Sequence, residues 1–171
     1  NLLEWARLQR GTYTFESNTF DLYDTAIETV SLFEDMANQK TILLTNDIQP
    51  NTIVVSDSRM LKTILRNFVN NAIKYTREKG RVHISSAVKD EYHIISVKDD
   101  GIGISPGDLE KLFCIDQTFS APGTYQESGT GLGLILCGEL SNKMGATIWA
   151  ESEPDKGSTF YISVPWVESQ S

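Results

Sequence analysis

A chain of 171 residues is about one domain long, since a domain typically has roughly 150 residues. Hydrophobic residues make up 40% and charged residues 22%, which is enough for a packed core and argues against intrinsic disorder. The formal net charge is −8, from 15 Lys and Arg against 23 Asp and Glu. This balance argues against broad nucleic-acid binding, which needs a basic patch to neutralise phosphates.

The composition also argues against a membrane segment and a disulfide framework. No apolar run approaches the ~20 residues that cross a bilayer, so we expect no direct membrane contact by this chain. The two cysteines, Cys114 and Cys137, have no metal-ligand spacing, and Cys137 lies in an apolar helical run that predicts a core position. We therefore expect a cytoplasmic domain, with any anchor in the inner membrane carried by another part of the parent protein.

The first third of the chain is predicted to contain two helices and an extended segment between them. Residues 1–10 are predicted to form the end of a helix that stops at Gly11. Its apolar positions are Leu2, Leu3, Trp5 and Leu8. After an extended stretch at 12–20, Asp21 is a suitable N-cap for a helix that runs to about Gln39. The apolar stripe of this second helix is predicted to comprise Leu22, Ala26, Ile27, Val30 and Phe33.

The rest of the chain alternates between strand and helix patterns. The predicted elements are strands at 41–46 and 52–55, a long helix at 57–76, strands at 81–88 and 92–98, a short helix after residue 104, a long helix at about 130–144, and strands at 147–152 and 158–164. Residues 114–128 lack periodicity and contain Pro122 and Gly123, which predicts a mobile loop. Together the elements predict an α+β fold, a two-layer α/β sandwich with a mixed, mostly antiparallel sheet packed under three helices.

The helix at 57–76 has the most informative pattern. Its apolar stripe, at 3.6-residue spacing, comprises Met60, Leu61, Ile64, Leu65, Phe68, Val69, Ala72 and Ile73. On the other side, Asn67, Asn71 and Lys74 follow one another at i, i+4 and i+7. Asn costs about 0.5 kcal/mol relative to Ala in a helix, and two amide oxygens four residues apart are well placed to share a hard cation. Two interpretations remain open at this point, a solvated helix face and a metal or phosphate site.

The run DDGIGI, at 99–104, follows an alternating strand. Asp99 stands at the strand end, and Gly101 and Gly103 allow the backbone to turn tightly and approach a flat ligand. A carboxylate in this position can accept a hydrogen bond from an exocyclic amine such as that of adenine. Taken alone, however, the segment is better explained as an Asx turn between strand and helix.

A second glycine-rich run, GTGLGL at 129–134, leads directly into a helix. Glycines before a helix N-terminus expose backbone N–H groups at the positive end of the helix dipole, where an anion can bind. The run is not a P-loop, because no Gly-Lys-Ser/Thr follows it. It is not the dinucleotide-binding fingerprint either, because a loop rather than a strand precedes it.

In this order and spacing, the three pieces resemble the histidine-kinase branch of the Bergerat-fold ATPases. LRNFVNNAIKYT, at 65–76, resembles the N box of that family, DDGIGI its first glycine box and GTGLGL its second. LFCIDQTF, at 112–119, lies where the F box is found, and GSTF, at 157–160, resembles the closing glycine segment. The likeness covers roughly residues 12–165.

The resemblance implies a role for each matching residue. It implies that Asn67 and Asn71 hold Mg²⁺ against the phosphates of ATP, with Asn67 and Lys74 as the catalytic residues and Lys74 contacting phosphate. Tyr75 is implied to lie against the nucleotide, and Asp99 to bind the adenine amino group. Nucleotide contacts are also implied for Gly101, Gly103, Gly129, Thr130, Gly131, Leu132 and Gly133. The loop at 114–128 is implied to close over the nucleotide as a lid.

Three positions depart from the pattern of the family. Asp100 stands where Asn is usual, so we expect added negative charge and somewhat weaker ATP binding. The run Cys114-Ile115-Asp116 replaces a polar-proline-aromatic run in the F box, which leaves the roles of Phe113 and Phe119 undefined. The segment at 144–146 lacks the usual paired glycines.

The resemblance implies an ATP-dependent protein-histidine kinase that acts mainly by positioning and charge neutralisation. The acceptor is expected outside this chain, because His83 and His93 fall in strand patterns. Residues 1–11 resemble the truncated end of a second dimerisation helix, and residues 12–171 are then the catalytic ATP-binding domain. The implied partners are the dimerisation and phosphoacceptor domain of a homodimeric parent protein and the receiver domain of a response regulator.

Two alternatives differ from this interpretation in chemistry. A hydrolytic Bergerat ATPase carries Glu, as the base that activates water, where this chain has Asn67, and a neutral amide cannot take that proton. A degenerate or regulatory domain that binds nucleotide without catalysis is disfavoured by the complete set of Asn67, Asn71 and Asp99.

Overall fold

The computed structural model describes residues 2–113, 123 and 132–165. In chain order, its elements are α1 (Leu2–Gln9), β1 (Asn18–Asp21), α2 (Leu22–Gln39), β2 (Leu43–Asn46), β3 (Ile53–Ser56), α3 (Ser58–Tyr75), β4 (Arg81–Lys89), β5 (Tyr92–Asp99), α4 (Pro106–Leu109), α5 (Gly133–Met144), β6 (Thr147–Glu153) and β7 (Gly157–Pro165). Their order and type agree with the sequence prediction. The predicted mobile loop at 114–128 lies outside the described residues, apart from Gly123.

Five strands form the main sheet, in the order β2-β4-β5-β7-β6. β2 is parallel to β4, and the other neighbours are antiparallel. This confirms the mixed, mostly antiparallel sheet. A feature that the prediction did not contain is a separate antiparallel ribbon, in which β1 and β3 pair with each other.

The helices α2, α3 and α5 cover one face of this sheet, with α3 in contact with both of the others. The core between the layers is apolar, and its largest fully buried side chains include Phe68, Leu61, Ile64, Ile84, Ile95, Leu136 and Ile162. Phe68 of α3 contacts Phe160 of β7 with ring centroids 5.3 Å apart. The α3 stripe that the sequence predicts is therefore the face that holds the two layers together.

Two carboxylates fix the beginnings of the long helices. Asp21 accepts a hydrogen bond from the backbone N–H of Tyr23 at 3.0 Å, and Asp57 accepts from Arg59 and Met60 at 3.0 and 3.2 Å. These are N-caps, which satisfy amide groups that the first turn of a helix leaves without partners. The predicted helix starts depend on these caps and are confirmed.

The segment between α1 and β1 is bound to the start of α3. The second carboxylate oxygen of Asp57 accepts from the backbone N–H of Glu16 and from the Arg59 guanidinium, both at 2.8 Å. The Tyr13 ring lies near two guanidinium groups, with Arg7 4.7 Å and Arg59 5.1 Å from its centroid. Burial alone would raise the pKa of Asp57, but Arg59 and the backbone donors together hold that pKa below its ordinary value.

One part of the predicted α2 stripe is wrong. Ile27 is 41% exposed, whereas Thr25 and Thr29 are buried. The Thr29 hydroxyl donates to the Thr25 carbonyl at 2.8 Å, so this polar group is satisfied inside its own helix and can be buried at little cost. Within the part of the chain that the structure describes, no helix is both long and apolar enough to cross a bilayer.

Candidate functional site

The polar residues predicted on α3 lie along one side of the helix, but they are not equally exposed. Asn67 is only 7% exposed, and its side-chain amide donates to the Thr63 carbonyl one turn earlier, at 2.9 Å. Asn71 and Lys74 are half-buried, as is Tyr75. A solvated helix face is therefore the wrong interpretation for Asn67, because its amide is buried with a defined orientation.

The end of α3 brings a positive charge next to an aromatic ring. The Lys74 ammonium lies 5.1 Å from the centroid of the Tyr75 ring. A cation over an aromatic face is attracted by the ring quadrupole, which favours a common orientation of the two side chains. The carbonyl of Tyr75 accepts a hydrogen bond from the backbone N–H of Ile102 at 3.0 Å. The end of α3 is thus joined to the DDGIGI turn.

Asp99 is a buried carboxylate at the end of β5, on the side of the sheet that faces the helices. It is 5% exposed, and Oδ1 accepts from the backbone N–H groups of Gly101 at 2.9 Å and Ser158 at 3.2 Å. Burial raises the pKa of Asp99 to about 6, the two backbone donors oppose this, and the charge on Asp100 adds to it. Among the described residues, both hydrogen bonds go to Oδ1, so Oδ2 is available to accept a further donor.

The Asx turn expected at Asp99 is present, and the glycines that follow serve close approaches within the protein. A Cβ added to Gly101 would collide with the Tyr75 carbonyl. Gly103 has φ +73°, and a Cβ added there would collide with the carbonyl of Glu153, the last residue of β6. The turn is therefore in backbone contact with both α3 and the β6–β7 connection. The predicted approach of these glycines to a ligand stays a prediction.

Asp100 has a structural role that its position in the motif does not indicate. Its Oδ1 accepts a hydrogen bond from the backbone N–H of Arg81 at 2.8 Å, at the start of β4. The oxygen of an Asn side chain could accept the same bond, so the carboxylate adds mainly its charge. That charge is close enough to raise the pKa of Asp99.

Only part of the second glycine run can be placed. Gly129, Thr130 and Gly131 lie outside the described residues. Leu132, an apolar residue, occupies the N-cap position of α5, and Gly133 is the first residue of the helix. Among the described residues, no side chain caps the first turn of α5, which is compatible with the predicted anion site.

Other residues named in the sequence analysis occupy structural positions. Cys137 is fully buried in the core, as predicted, and burial raises the pKa of its thiol. His83 shares a 2.7 Å hydrogen bond between Nδ1 and the Thr45 hydroxyl, and His93 is buried in β5. Phe113, in the F-box segment, lies edge-on to Phe160 with centroids 6.3 Å apart. Cys114 and Phe119 lie outside the described residues.

Sequence reasoning did not find two residues that shape this site. Lys40, 2% exposed, directs its ammonium to carbonyls at the end of α3. Ser158 supplies a backbone N–H to Asp99. A lysine between a helix and a strand has no signal that separates it from a surface lysine. The backbone N–H of Ser158 reaches Asp99 only because β7 pairs with β5 in a particular register, and the sequence does not reveal that register.

The donor set for a metal ion is limited. In residues 2–113, 123 and 132–165, no group of three or more His, Cys, Asp or Glu side chains could hold a metal ion. The amide oxygens of Asn67 and Asn71, four residues apart on one helix, are of the type that Mg²⁺ accepts, and Mg²⁺ commonly takes its other ligands from water and substrate phosphates. The residues present thus fit a Mg²⁺ ion that arrives with a phosphate ligand.

Comparisons with known proteins agree on one family. A family model described as "Histidine kinase-, DNA gyrase B-, and HSP90-like ATPase" matches residues 56–168. The chain is 34% identical over 173 residues to the sensor histidine kinase GacS of Pseudomonas protegens, covering 95% of this chain. It spans only 18% of the length of that relative.

Solved structures of histidine kinases have the same fold. The catalytic domain of histidine kinase ThkA, in a nucleotide-free form, aligns with a TM-score of 0.74 and 30% identity, over 88% of this chain and 95% of that one. Full-length ShkA in complex with AMPPNP aligns with a TM-score of 0.79 and 26% identity, over 98% of this chain and 35% of that one. ThkA in complex with the response regulator protein TrrA aligns with a TM-score of 0.76 and 25% identity, over 97% of this chain and 47% of that one.

Proposed function

The chain belongs to the family of histidine kinase-, DNA gyrase B- and HSP90-like ATPases, and we propose that it is the ATP-binding catalytic domain of a sensor histidine kinase. In this proposal it transfers the γ-phosphoryl group of ATP to a histidine on a dimerisation domain outside this chain. The observation that carries the proposal is the buried carboxylate of Asp99. One of its oxygens holds two backbone amides, and the other is available to an incoming donor.

Asp99 is proposed to select adenine. Oδ2 accepts a hydrogen bond from the exocyclic amine, while Gly101 and Ser158 hold Oδ1 and so fix the orientation of the carboxylate. A buried acceptor discriminates strongly between ligands, because a ligand without the matching donor leaves it unpaired. The Tyr75 ring, half-buried at the end of α3, is proposed to lie against the nucleotide.

The phosphate end is proposed to lie along the polar side of α3. A bound Mg²⁺ ion would neutralise phosphate charge, with Asn67 and Asn71 as its protein ligands. Lys74 adds a positive charge near the phosphates, in a chain whose net charge is −8. Gly129, Thr130, Gly131, Leu132 and Gly133 are proposed to supply backbone donors before and at the start of α5. We assign Gly101 and Gly103 to the turn that positions Asp99.

Transfer to histidine is favoured over hydrolysis by the residue at position 67. Asn67 is a neutral amide whose N–H group donates to the Thr63 carbonyl, so it cannot take a proton from an attacking water. The domain would then act by holding ATP in line with a nucleophile on its partner. Lys74 and Asn67 are the residues we propose as catalytic.

The proposed partners are the dimerisation and phosphoacceptor domain of the same parent protein and the receiver domain of a response regulator. The solved complex of ThkA with response regulator protein TrrA supports the second partner, because this chain aligns with the kinase in it. We also propose that the parent protein is a homodimer and that this domain works in the cytoplasm.

Calorimetric titration of the chain with ATP and with GTP, each with Mg²⁺, tests the nucleotide assignment. The wild type should bind ATP more tightly than GTP, and Asp99→Asn should reduce this preference by tenfold or more, roughly the loss of one charged hydrogen bond. In this variant the side-chain oxygen still accepts both backbone amides, but the new NH₂ group meets the adenine amine, donor against donor. Unchanged ATP affinity in the Asp99→Asn variant would contradict the assignment of Asp99 to adenine binding.

A further inference from the structure

A buried lysine holds the last turn of the helix that carries the proposed phosphate-binding residues. Lys40 follows α2 and is 2% exposed. Its ammonium donates to the carbonyls of Ile73 at 2.8 Å and Lys74 at 3.2 Å, at the C-terminal end of α3. The last carbonyls of a helix have no partners inside the helix, and a cation is favoured beside them by the helix dipole.

The same turn is fixed from the opposite side by the DDGIGI segment. The Tyr75 carbonyl accepts from the backbone N–H of Ile102 at 3.0 Å, in a contact that only a glycine at position 101 permits. Three consecutive carbonyls, those of Ile73, Lys74 and Tyr75, thus accept hydrogen bonds from residues outside α3. The backbone of Lys74 and Tyr75 is held between two elements that are distant in sequence.

We infer that Lys40 is a positioning residue for nucleotide binding, which places the Lys74 and Tyr75 side chains by holding the carbonyls of their turn. The inference rests on the proposed function, because only that proposal assigns those two side chains to the nucleotide. Lys40 itself does not touch the ligand. Its main chain contributes as well, since its carbonyl accepts from the backbone N–H of Lys79 at 3.0 Å, which links α2 to the segment after α3.

A buried ammonium group is costly unless hydrogen bonds satisfy it, and this one has carbonyl partners in a single turn. Replacing Lys40 by Met keeps the length and the apolar stem of the side chain and removes all of its donors. The last turn of α3 then loses the hydrogen bonds from the Lys40 ammonium and keeps the hydrogen bond from the backbone N–H of Ile102. Displaced Lys74 and Tyr75 side chains would contact the nucleotide less well, so we expect the affinity for ATP to fall.

The test is calorimetric titration of the 171-residue chain with Mg²⁺-ATP, in wild type and in Lys40→Met. We expect about tenfold weaker binding in the variant, as for the loss of a charged hydrogen bond. Thr29→Val is the matched control, because it removes a buried hydrogen bond from α2 that does not involve α3. It should leave ATP affinity unchanged, whatever it does to the melting temperature.

A double-mutant cycle separates positioning from a general loss of stability. If Lys40 acts through the side chains of its turn, Lys40→Met should have little further effect on ATP affinity in a Lys74→Ala, Tyr75→Ala background. An equal effect in both backgrounds would overturn the inference. So would wild-type affinity in a folded Lys40→Met variant, and the proposed function would then still stand.

Should Lys40→Met fail to fold, Lys40→Gln takes its place in the same cycle, because Gln keeps donors on a shorter side chain. Its ATP affinity should fall in the wild-type background and not in the Lys74→Ala, Tyr75→Ala background. Identical affinities of Lys40→Gln and wild type would count against the inference. A wild type that does not bind ATP would overturn the proposed function and the inference together.

Discussion

Ser158, at the start of β7, donates its backbone N–H to Oδ1 of Asp99, the last residue of β5, at 3.2 Å. The two residues are direct partners in the antiparallel register of these strands. Ser158 also connects onward, because its hydroxyl lies 2.8 Å from the Ser152 hydroxyl in β6. The sheet register thus supplies one of the two backbone donors that orient the carboxylate before any ligand binds, and Gly101 supplies the other.

The burial of Asp99 should make it a source of instability at neutral pH. Its pKa is about 6 in the folded protein, against 3.8 for an ordinary Asp. Since the folded pKa is the higher one, folding is favoured below about pH 4, and that advantage is lost as the pH rises to about 6 and above. Asp99→Asn should therefore raise the free energy of unfolding at pH 7 by about 1–3 kcal/mol. Urea unfolding measures this.

The same variant has an internal control in its pH dependence. At pH 4 the wild-type carboxyl is protonated in the folded state and partly protonated in the unfolded state, so most of the stability difference between wild type and Asp99→Asn should be absent. A stabilisation of equal size at pH 4 and pH 7 would mean that the charge of Asp99 is not its cause. Together with the weaker ATP binding expected of this variant, the result would be an exchange of stability for function.

Asn71 is expected to be essential for binding of ATP in the presence of Mg²⁺, and its neighbour is not. Asn71→Ala removes an amide oxygen proposed to bind the metal, and ATP affinity should fall at least tenfold. Asn70→Ala is the matched control, since Asn70 has the same side chain in the same helix turn and is exposed. Calorimetry with Mg²⁺ and with EDTA should show this difference only when the metal is present. Equal affinities of the two variants would remove Asn71 from the site.

His93 should make the fold sensitive to mild acid. It is 3% exposed, and within the described ranges neither ring nitrogen has a hydrogen-bond partner of acceptable geometry. Burial lowers its pKa from the ordinary 6.5, and the nearby backbone of Ile53 offsets only part of this. The folded form then binds a proton less readily than the unfolded form, so stability is lost as the pH falls below about 6.5.

His93→Leu should remove this sensitivity. Relative to the variant, the wild type should lose about 1 kcal/mol as the pH falls from 7.5 to 5.5, and nothing above pH 7.5. Urea unfolding at several pH values gives the comparison. The Asp99 effect has the opposite sign and is common to both proteins, so it cancels. Parallel pH profiles would show that the pKa of His93 is the same in the folded and unfolded protein, and would contradict this prediction.

The sequence alone predicts the helix starts and turns that depend on residues close together in the chain. Asp21 and Asp57 predict the starts of α2 and α3 because an N-cap bond spans two or three residues. The turn between β4 and β5 likewise depends on its own residues, since Asp90 and Glu91 adopt φ of 50° and 66°. The fold class followed from the order of these elements.

What the sequence could not provide depends on contacts between distant residues. The buried ammonium of Lys40 is satisfied by the carbonyls of Ile73 and Lys74, which lie 33 and 34 positions later in the chain. The β1–β3 ribbon needs the pairing of Thr19 with Val55, which no local pattern specifies. Helical periodicity alone predicts Asn67 on a polar face of α3. Its burial follows from the packing of other elements against α3.

The chain alone should neither phosphorylate itself nor hydrolyse ATP rapidly. His93 is buried, and His83 lies on the sheet face opposite Asp99, because it follows Val82, the strand partner of Asp99, so neither is a suitable acceptor. Asn67 offers no carboxylate to activate water. Phosphorylation should instead appear on a separately supplied dimerisation helix pair, slowly, because no covalent connection raises the effective concentration of the acceptor.

Radiolabelled ATP, with the chain alone and mixed with that helix pair, measures all three rates. We expect acid-labile label on the helix pair only, and none when Asn71→Ala replaces the wild type. A fragment in which the helix pair is covalently joined to this chain should react faster than the mixture, because the connection raises the effective concentration of the acceptor. Label on His83 or His93 in the chain alone would contradict the acceptor assignment. Rapid phosphate release would instead favour a hydrolytic ATPase.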